Sequence, residues 1–145
     1  MATLGTLEVL LANAEDLHNT NFLFKMNPYV IVKCQNQEHK SKVASKEGSN
    51  PEWNETFVFK LSEGASDLTI RIMDKDTFSA DDFVGEAKIP LEGVLMEGSV
   101  PPTPYNVVLI DQTYCGEIKV GLTFTPKEEC YEEEEVEGGW KEGSL

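Results

Sequence analysis

Four carboxylates fall within nine residues of this chain, in Asp74-Lys75-Asp76-Thr77-Phe78-Ser79-Ala80-Asp81-Asp82, between two apolar alternating segments. Ionised carboxylates this close repel one another. A folded chain keeps them together when water screens them or when a hard cation that prefers oxygen ligands sits among them. A solvated acidic turn is the plainer reading of such a run. The spacing narrows the choice, because Asp74 and Asp76 are two apart, Asp82 follows six later, an aromatic residue stands between and Gly85 follows. A helix-loop-helix calcium loop fails at once. Counted from Asp74, the fifth position is Phe78, the sixth is Ser79 where Gly makes the sharp turn, and the twelfth is Gly85 where a bidentate Glu is required. A cation bound here is bound on a loop between strands.

Those strands are legible from two-residue alternation. Residues 3–11 place Leu7, Val9 and Leu11 on one side, and 28–34 (PYVIVKC) form a β-branched run with Pro28 at its first position, where a missing N–H is harmless. A more polar strand at 38–43 puts Lys40 and Lys42 on one face. Alternation resumes through Trp53, Phe57, Phe59 and Leu61, and then through Leu68, Ile70 and Ile72, which leads into the acidic loop. Segments 83–90, 105–110 and 116–124 add three more strands, with room for a short helical turn within 91–103. Eight short strands, frequent turn signals and no long amphipathic helix predict an all-β fold, an eight-stranded antiparallel β-sandwich. Alternate crossings send the loops at 13–27, 44–52 and 74–82 to one end, where binding residues sit on a rigid scaffold.

Composition excludes several function classes. At 145 residues the chain fits one domain that folds without staples. Its three cysteines, Cys34, Cys115 and Cys130, make an odd set with no CxxC pair, and they read as reduced thiols. No basic and apolar leader and no membrane-span run is visible, so a soluble, cytoplasmic protein is expected. The Asn54-Glu55-Thr56 sequon is then incidental. A net charge of −14 lacks the basic field that nucleic acid demands. An enzyme is not expected either: His18 and His39 are the only imidazoles, no motif sets either beside a nucleophile, and no glycine loop cradles phosphate.

Four segments together resemble the C2 domain family of calcium-dependent lipid-binding modules: the opening TLEVLLANAEDL, Asn27-Pro28-Tyr29-Val30, Asn50-Pro51-Glu52-Trp53-Asn54-Glu55-Thr56-Phe57, and Asp74 through Glu86. The resemblance spans about residues 5–124. It extends to the small single-domain plant members described as elicitor-responsive, and the final strand implies the circularly permuted type II strand order. The family binds calcium between the first and third rim loops, so the resemblance implies metal ligands at Asp74, Asp76 and Asp82, an auxiliary hydroxyl at Ser79, and membrane entry by Phe22 and Phe78. The two aspartates that the family has in its first loop are Asn21 and Asn27 here. Each change keeps a carbonyl ligand and removes a charge, which places a single calcium in the weak class, roughly 10⁻⁴ to 10⁻³ M. Side-chain to backbone bonding in the turn is the alternative role for these asparagines.

Three further expectations follow. Lys33, Lys40 and Lys42 form a small cationic patch for anionic lipid, or else ordinary decoration of an edge strand. Of the apolar cluster Phe22, Leu23, Phe24 and Met26, half fold into the core. Residues 126–145, with eight Glu and two Lys, form a disordered acidic tail beyond a C2 domain at 1–125; it either covers a basic patch or repels lipid, and Trp140 is an anchor for a partner. The leading functional expectation is a peripheral membrane signalling module, recruited from the cytoplasm to phospholipid with weak calcium dependence. The alternative is a calcium-insensitive module that binds a protein partner.

Overall fold

The computed structural model describes residues 2–20, 25–45 and 47–128. Eight strands follow in chain order: β1 (Thr3–Glu15), β2 (Pro28–Cys34), β3 (Gln37–Lys40), β4 (Glu52–Ser62), β5 (Asp67–Asp74), β6 (Asp82–Pro90), β7 (Ser99–Val108) and β8 (Tyr114–Pro126). One short helix, α1 (Glu92–Glu97), bridges β6 and β7. All pairings are antiparallel, in the order β3-β2-β5-β6-β7-β8-β1-β4. Between β6 and β7 the ladder shrinks to the single pair Glu86↔Val108, so the sheet works as two four-stranded layers, β3-β2-β5-β6 and β7-β8-β1-β4. With β8 beside β1, the strand order is the expected type II arrangement.

Alternation built the core as expected. Leu7, Val9, Leu11, Val30, Val32, Phe59, Leu61, Leu68, Ile70 and Ile72 are all fully buried between the layers. Burial of each such side chain contributes about 1.5–3 kcal/mol. Met26 is buried, as the sequence suggested for part of its cluster; Phe22, Leu23 and Phe24 lie outside the described residues. Strand ends differ most from the alternation reading in three places, and β7 stops at Val108 while β8 runs two residues further at each end. β1 runs on to Glu15 through an irregularity between Leu11 and Asn13, which shifts the alternating pattern. β3 stops at Lys40 because Ser41 turns inward and its hydroxyl bonds the N–H of Val30 at 2.8 Å. β7 starts at Ser99, ahead of three prolines that conceal it in the sequence.

The free edges of the two layers, β3 and β4, meet and close without a backbone ladder. Alternate side chains of β3 and of the turn before it do the work. The Gln35 amide donates to the Ser62 carbonyl and accepts from the Ser62 N–H; the Gln37 amide makes the same pair of bonds with Lys60, and His39 Nε2 lies 3.0 Å from the Val58 carbonyl. Each Gln amide thereby imitates the peptide group of a missing neighbour strand and blunts an edge that would otherwise invite pairing. Cys34 is a buried free thiol, Cys115 is free and half-buried, and Cys130 lies outside the described residues.

Candidate functional site

Three loops converge at one end of the sandwich. The first and second are tied by the Leu17 N–H to the Ser49 carbonyl at 3.0 Å, the Gly48 N–H to the Met26 carbonyl at 3.1 Å, and the Asp16 N–H to the Asn50 side chain at 3.0 Å. Gly116 presses the end of β1 from below at φ +85°, and a Cβ there would stand 2.6 Å from the Asp16 carbonyl oxygen. The third loop, 75–81, springs from β5 and β6, which face each other at Asp74↔Asp82.

Asp74 is the inner post of this loop and is 3% exposed. Its two oxygens accept from the Thr20 hydroxyl and the Asn27 N–H, each at 2.9 Å, which joins the third loop to the first. The Lys75 N–H returns a bond to the Asn27 carbonyl at 2.9 Å. Asp76 folds over its own loop: it accepts from the Phe78 N–H at 2.9 Å and from the Ser79 hydroxyl at 2.8 Å. These donors hold its carboxyl below the usual carboxylate range, the Phe78 N–H foremost and the Ser79 hydroxyl next. The turn they stabilise lifts Phe78 to the tip, 97% exposed.

Asp81 closes the arrangement. It accepts from the Asp76 N–H at 2.9 Å and from the Tyr29 hydroxyl. The Asp76 N–H is the chief cause of its lowered pKa, followed by the Tyr29 hydroxyl, with Lys75 and Lys40 lending positive charge. Burial pushes the Tyr29 phenol up to about 12, and the bond to Asp81 adds to the shift. Lys40 Nζ lies 5.2 Å from the centre of that same ring. Asp82 stands exposed on the far post.

Asp74, Asp76, Asp82, Ser79 and Phe78 thus lie on one loop and its two posts, with Asn27 bonded across from the first loop. Asn21 and Phe22 lie outside the described residues. Among the described residues, no three His, Cys, Asp or Glu side chains converge as a ready metal cluster. The donors are of the kind a hard cation takes, and carboxylate oxygens that already accept a hydrogen bond keep further lone pairs. The loop is nonetheless self-sufficient, because backbone and hydroxyl donors satisfy Asp74, Asp76 and Asp81. Sequence spacing gives no role to two residues of this site. Asp81 is one of four neighbouring carboxylates with nothing to single it out, and Thr20 belongs to no motif; both depend on partners more than fifty residues away.

Lys33 and Lys40 share the outward face of β2 and β3, and Lys42 stands exposed just past the end of β3, towards the loops. Lys33 spends part of its charge on Glu38 at 3.8 Å.

The C2 domain family model matches residues 5–107. The chain belongs to the C2 domain family. Among its relatives, "Elicitor-responsive protein 3" of rice (Oryza sativa subsp. japonica) is 55% identical over 143 residues, covering 97% of this chain and 98% of the relative. "16 kDa phloem protein 2" of Arabidopsis thaliana is 53% identical over 139 residues, covering 94% of each chain. Among solved structures, a C2 domain-containing protein of an elicitor-responsive gene superposes with a TM-score of 0.77 at 52% identity, over 89% of this chain and 94% of that one. The calcium-bound C2A and C2B domains of Extended-Synaptotagmin 2 reach 0.72 at 27% identity, over 85% of this chain and 46% of that one. The two relatives named here are described as an elicitor-responsive and a phloem protein, and neither name is that of an enzyme. Among its described residues, no helix is long and apolar enough to cross a membrane.

Proposed function

We propose that this C2 domain is a peripheral membrane module whose rim docks phospholipid, with calcium as a weak and graded aid. The observation that carries the reading is Phe78, held fully exposed at the tip of a loop that Asp76 braces from within. An aromatic ring standing in water on a fixed turn has no folding role; burying it in a bilayer removes its apolar surface from water. Phe22 is the partner anchor on the first loop, as the family resemblance implies.

Asp74, Asp76 and Asp82 would hold the cation, with Ser79 and the amide oxygens of Asn21 and Asn27 completing the oxygen set. Bound calcium supplies positive charge that links an acidic rim to lipid phosphate. Everything else is done by the chain's own groups. Thr20 and the Asn27 N–H hold Asp74 in place, Tyr29 and the Asp76 N–H hold Asp81, and Phe78 is presented outward. Two features favour weak affinity: two carboxylates of the family pattern are amides here, and the Asp76 oxygens already accept from the Phe78 N–H and the Ser79 hydroxyl, which share their charge with any cation. Lys33, Lys40 and Lys42 add positive charge on the flank for anionic headgroups.

A calcium-insensitive module that docks a protein partner on the same rim is the second reading. It draws support from the chain's own donors to Asp74 and Asp76, which hold both carboxylates in the loop. Cosedimentation with phosphatidylserine vesicles, with and without 1–5 mM calcium, decides between them. The membrane reading predicts calcium-enhanced binding that Phe78→Ala reduces at least about tenfold, the low end of the roughly 10- to 150-fold that about 1.5–3 kcal/mol for one buried aromatic side chain gives. Binding to neither neutral nor anionic vesicles at any calcium level would discard it in favour of a protein partner.

A further inference from the structure

The outward face of β2, β3, β5 and β6 carries a second chemistry, independent of the rim. Strand register sets its side chains in rows. One row reads Glu38, Lys33, Thr69, Lys88 across the four strands, and the next reads Lys40, Ile31, Arg71, Glu86. Asp67 stands at the end away from the rim. Four of the chain's twelve cations, including its sole arginine, thus gather on one face of a molecule with net charge −14. Their local partners are thin: Lys33 meets Glu38 at 3.8 Å, Arg71 meets Glu86 at 3.3 Å, both on exposed surface, and Lys88 has no ion pair among the described residues. Exposed pairs of this kind contribute little and exchange readily.

The face runs on into a groove of about 670 Å³, opened by the near-absence of a ladder between β6 and β7. One wall is cationic and aromatic, Arg71, Lys88 and Phe83, with the guanidinium 5.5 Å from the Phe83 ring centre. The other is aliphatic, Val108, Leu109 and Ile110, the last 83% exposed. Such a groove fits a polypeptide that combines dense carboxylates with a few large apolar side chains. The chain itself supplies one. Residues 129–145 carry seven Glu against one Lys, interspersed with Tyr131, Val136 and Trp140.

Position favours this occupant. The described chain ends just past Pro126, which pairs with Gly5 at the end of the sandwich opposite the rim, and the row of Lys33 and Lys88 lies towards that same end. From Glu128 the four residues to Glu132 span up to roughly 13 Å and the twelve to Trp140 up to roughly 40 Å when extended, so the glutamates meet the near row of Lys33 and Lys88 first and Trp140 has the length to reach the groove. Tethering raises the effective concentration to the millimolar range, so individually weak charge pairs suffice. We infer that the C-terminal segment docks in cis on this face, with Glu132, Glu133, Glu134 and Glu135 against Lys33, Arg71 and Lys88, and Trp140 over the Phe83 and Ile110 groove. Docked there, it covers cations that would otherwise meet anionic ligands, and salt releases it.

The test uses the full chain, without calcium or lipid, so its outcome is separate from that of the membrane reading. Amide spectra at 20 mM salt are compared between wild type and a variant with Glu132, Glu133, Glu134 and Glu135 all changed to Gln. Acrylamide quenching of Trp140 is obtained as the difference between wild type and Trp140→Phe, at 20 mM and 1 M salt. The inference predicts shifts confined to residues 33, 69–71, 83–88 and 108–112, and Trp140 quenching that rises at least threefold in high salt or in Arg71→Ala/Lys88→Ala. Salt-independent quenching at the level of a free indole, or shifts on any other surface, overturns it. Shifts that grow with protein concentration overturn it too, because the occupant would then be a second molecule.

Discussion

The rim loop and the outer β2-β3-β5-β6 face carry opposite charge and are built in opposite ways. In the loop, Asp74, Asp76 and Asp81 are each held by two or more short hydrogen bonds, half of them from backbone N–H groups and half from hydroxyls. On the face, Lys33, Lys40 and Arg71 rest on long pairs and ring contacts, and Lys88 on none among the described residues. Backbone donors cannot move without unfolding the turn, whereas lysine side chains can. The difference teaches that the negative loop is preorganised and costly to disturb, while the cations of the face can shift to meet an anionic segment laid against them.

Substitutions on the two posts of the loop sharpen that contrast most. Asp74→Ala leaves the Thr20 hydroxyl and the Asn27 N–H without their acceptor in a buried place, and it is expected to cost about 3 kcal/mol by chemical denaturation. Asp82→Asn, on the exposed post, is expected to change stability by less than about 0.5 kcal/mol. Equal costs for the two would show that burial does not separate the inner post from the outer one.

Tyr29 couples the two regions, since its hydroxyl bonds Asp81 while Lys40 lies over its ring. Its folded pKa is raised to about 12, so the folded state holds the proton where the unfolded state releases it. Stability from this group is therefore complete below about pH 10 and is lost as pH rises towards 12. Phenolate absorbance of wild type minus Tyr29→Phe should show that late titration, and Asp81→Asn should bring it earlier. For Asp76 and Asp81 the sign reverses. Their folded pKa values are lowered, so their contribution stands above about pH 4 and fades as pH falls further. Side-chain carboxyl NMR shifts of both should titrate below those of a model aspartate. The smallest effect belongs to the face: Lys33→Ala is expected to leave stability within about 0.5 kcal/mol, because its pair with Glu38 is exposed.

The fold was legible because burial follows a period of two, and Leu7 through Ile72 obeyed it strand by strand. The gathering of the three loops at one end was legible from strand count alone. β7 was half hidden, since Pro101, Pro102 and Pro104 argue against a strand until its place at the thin β6 seam is seen. The lock between Gln35, Gln37 and the β4 edge left no trace, because glutamine on a polar strand looks like decoration until its partner edge is in place. In the loop, side-chain types pointed to oxygen ligands. They did not tell which carboxylate braces the turn and which stands open, because that is decided by Thr20, Asn27 and Tyr29 from other strands and loops.

The central claim is that this braced loop is a weak calcium site serving membrane docking. Amide NMR during a calcium titration of wild type and Asp82→Asn tests it most directly, since Asp82→Asn removes a negative charge from the proposed ligand set at an exposed position where the fold does not depend on it. Saturable millimolar shifts confined to residues 20–28 and 74–83, weakened at least tenfold in the variant, are the predicted result. No movement there at 10 mM calcium, or movement only among the glutamates of the C-terminal segment, would contradict it.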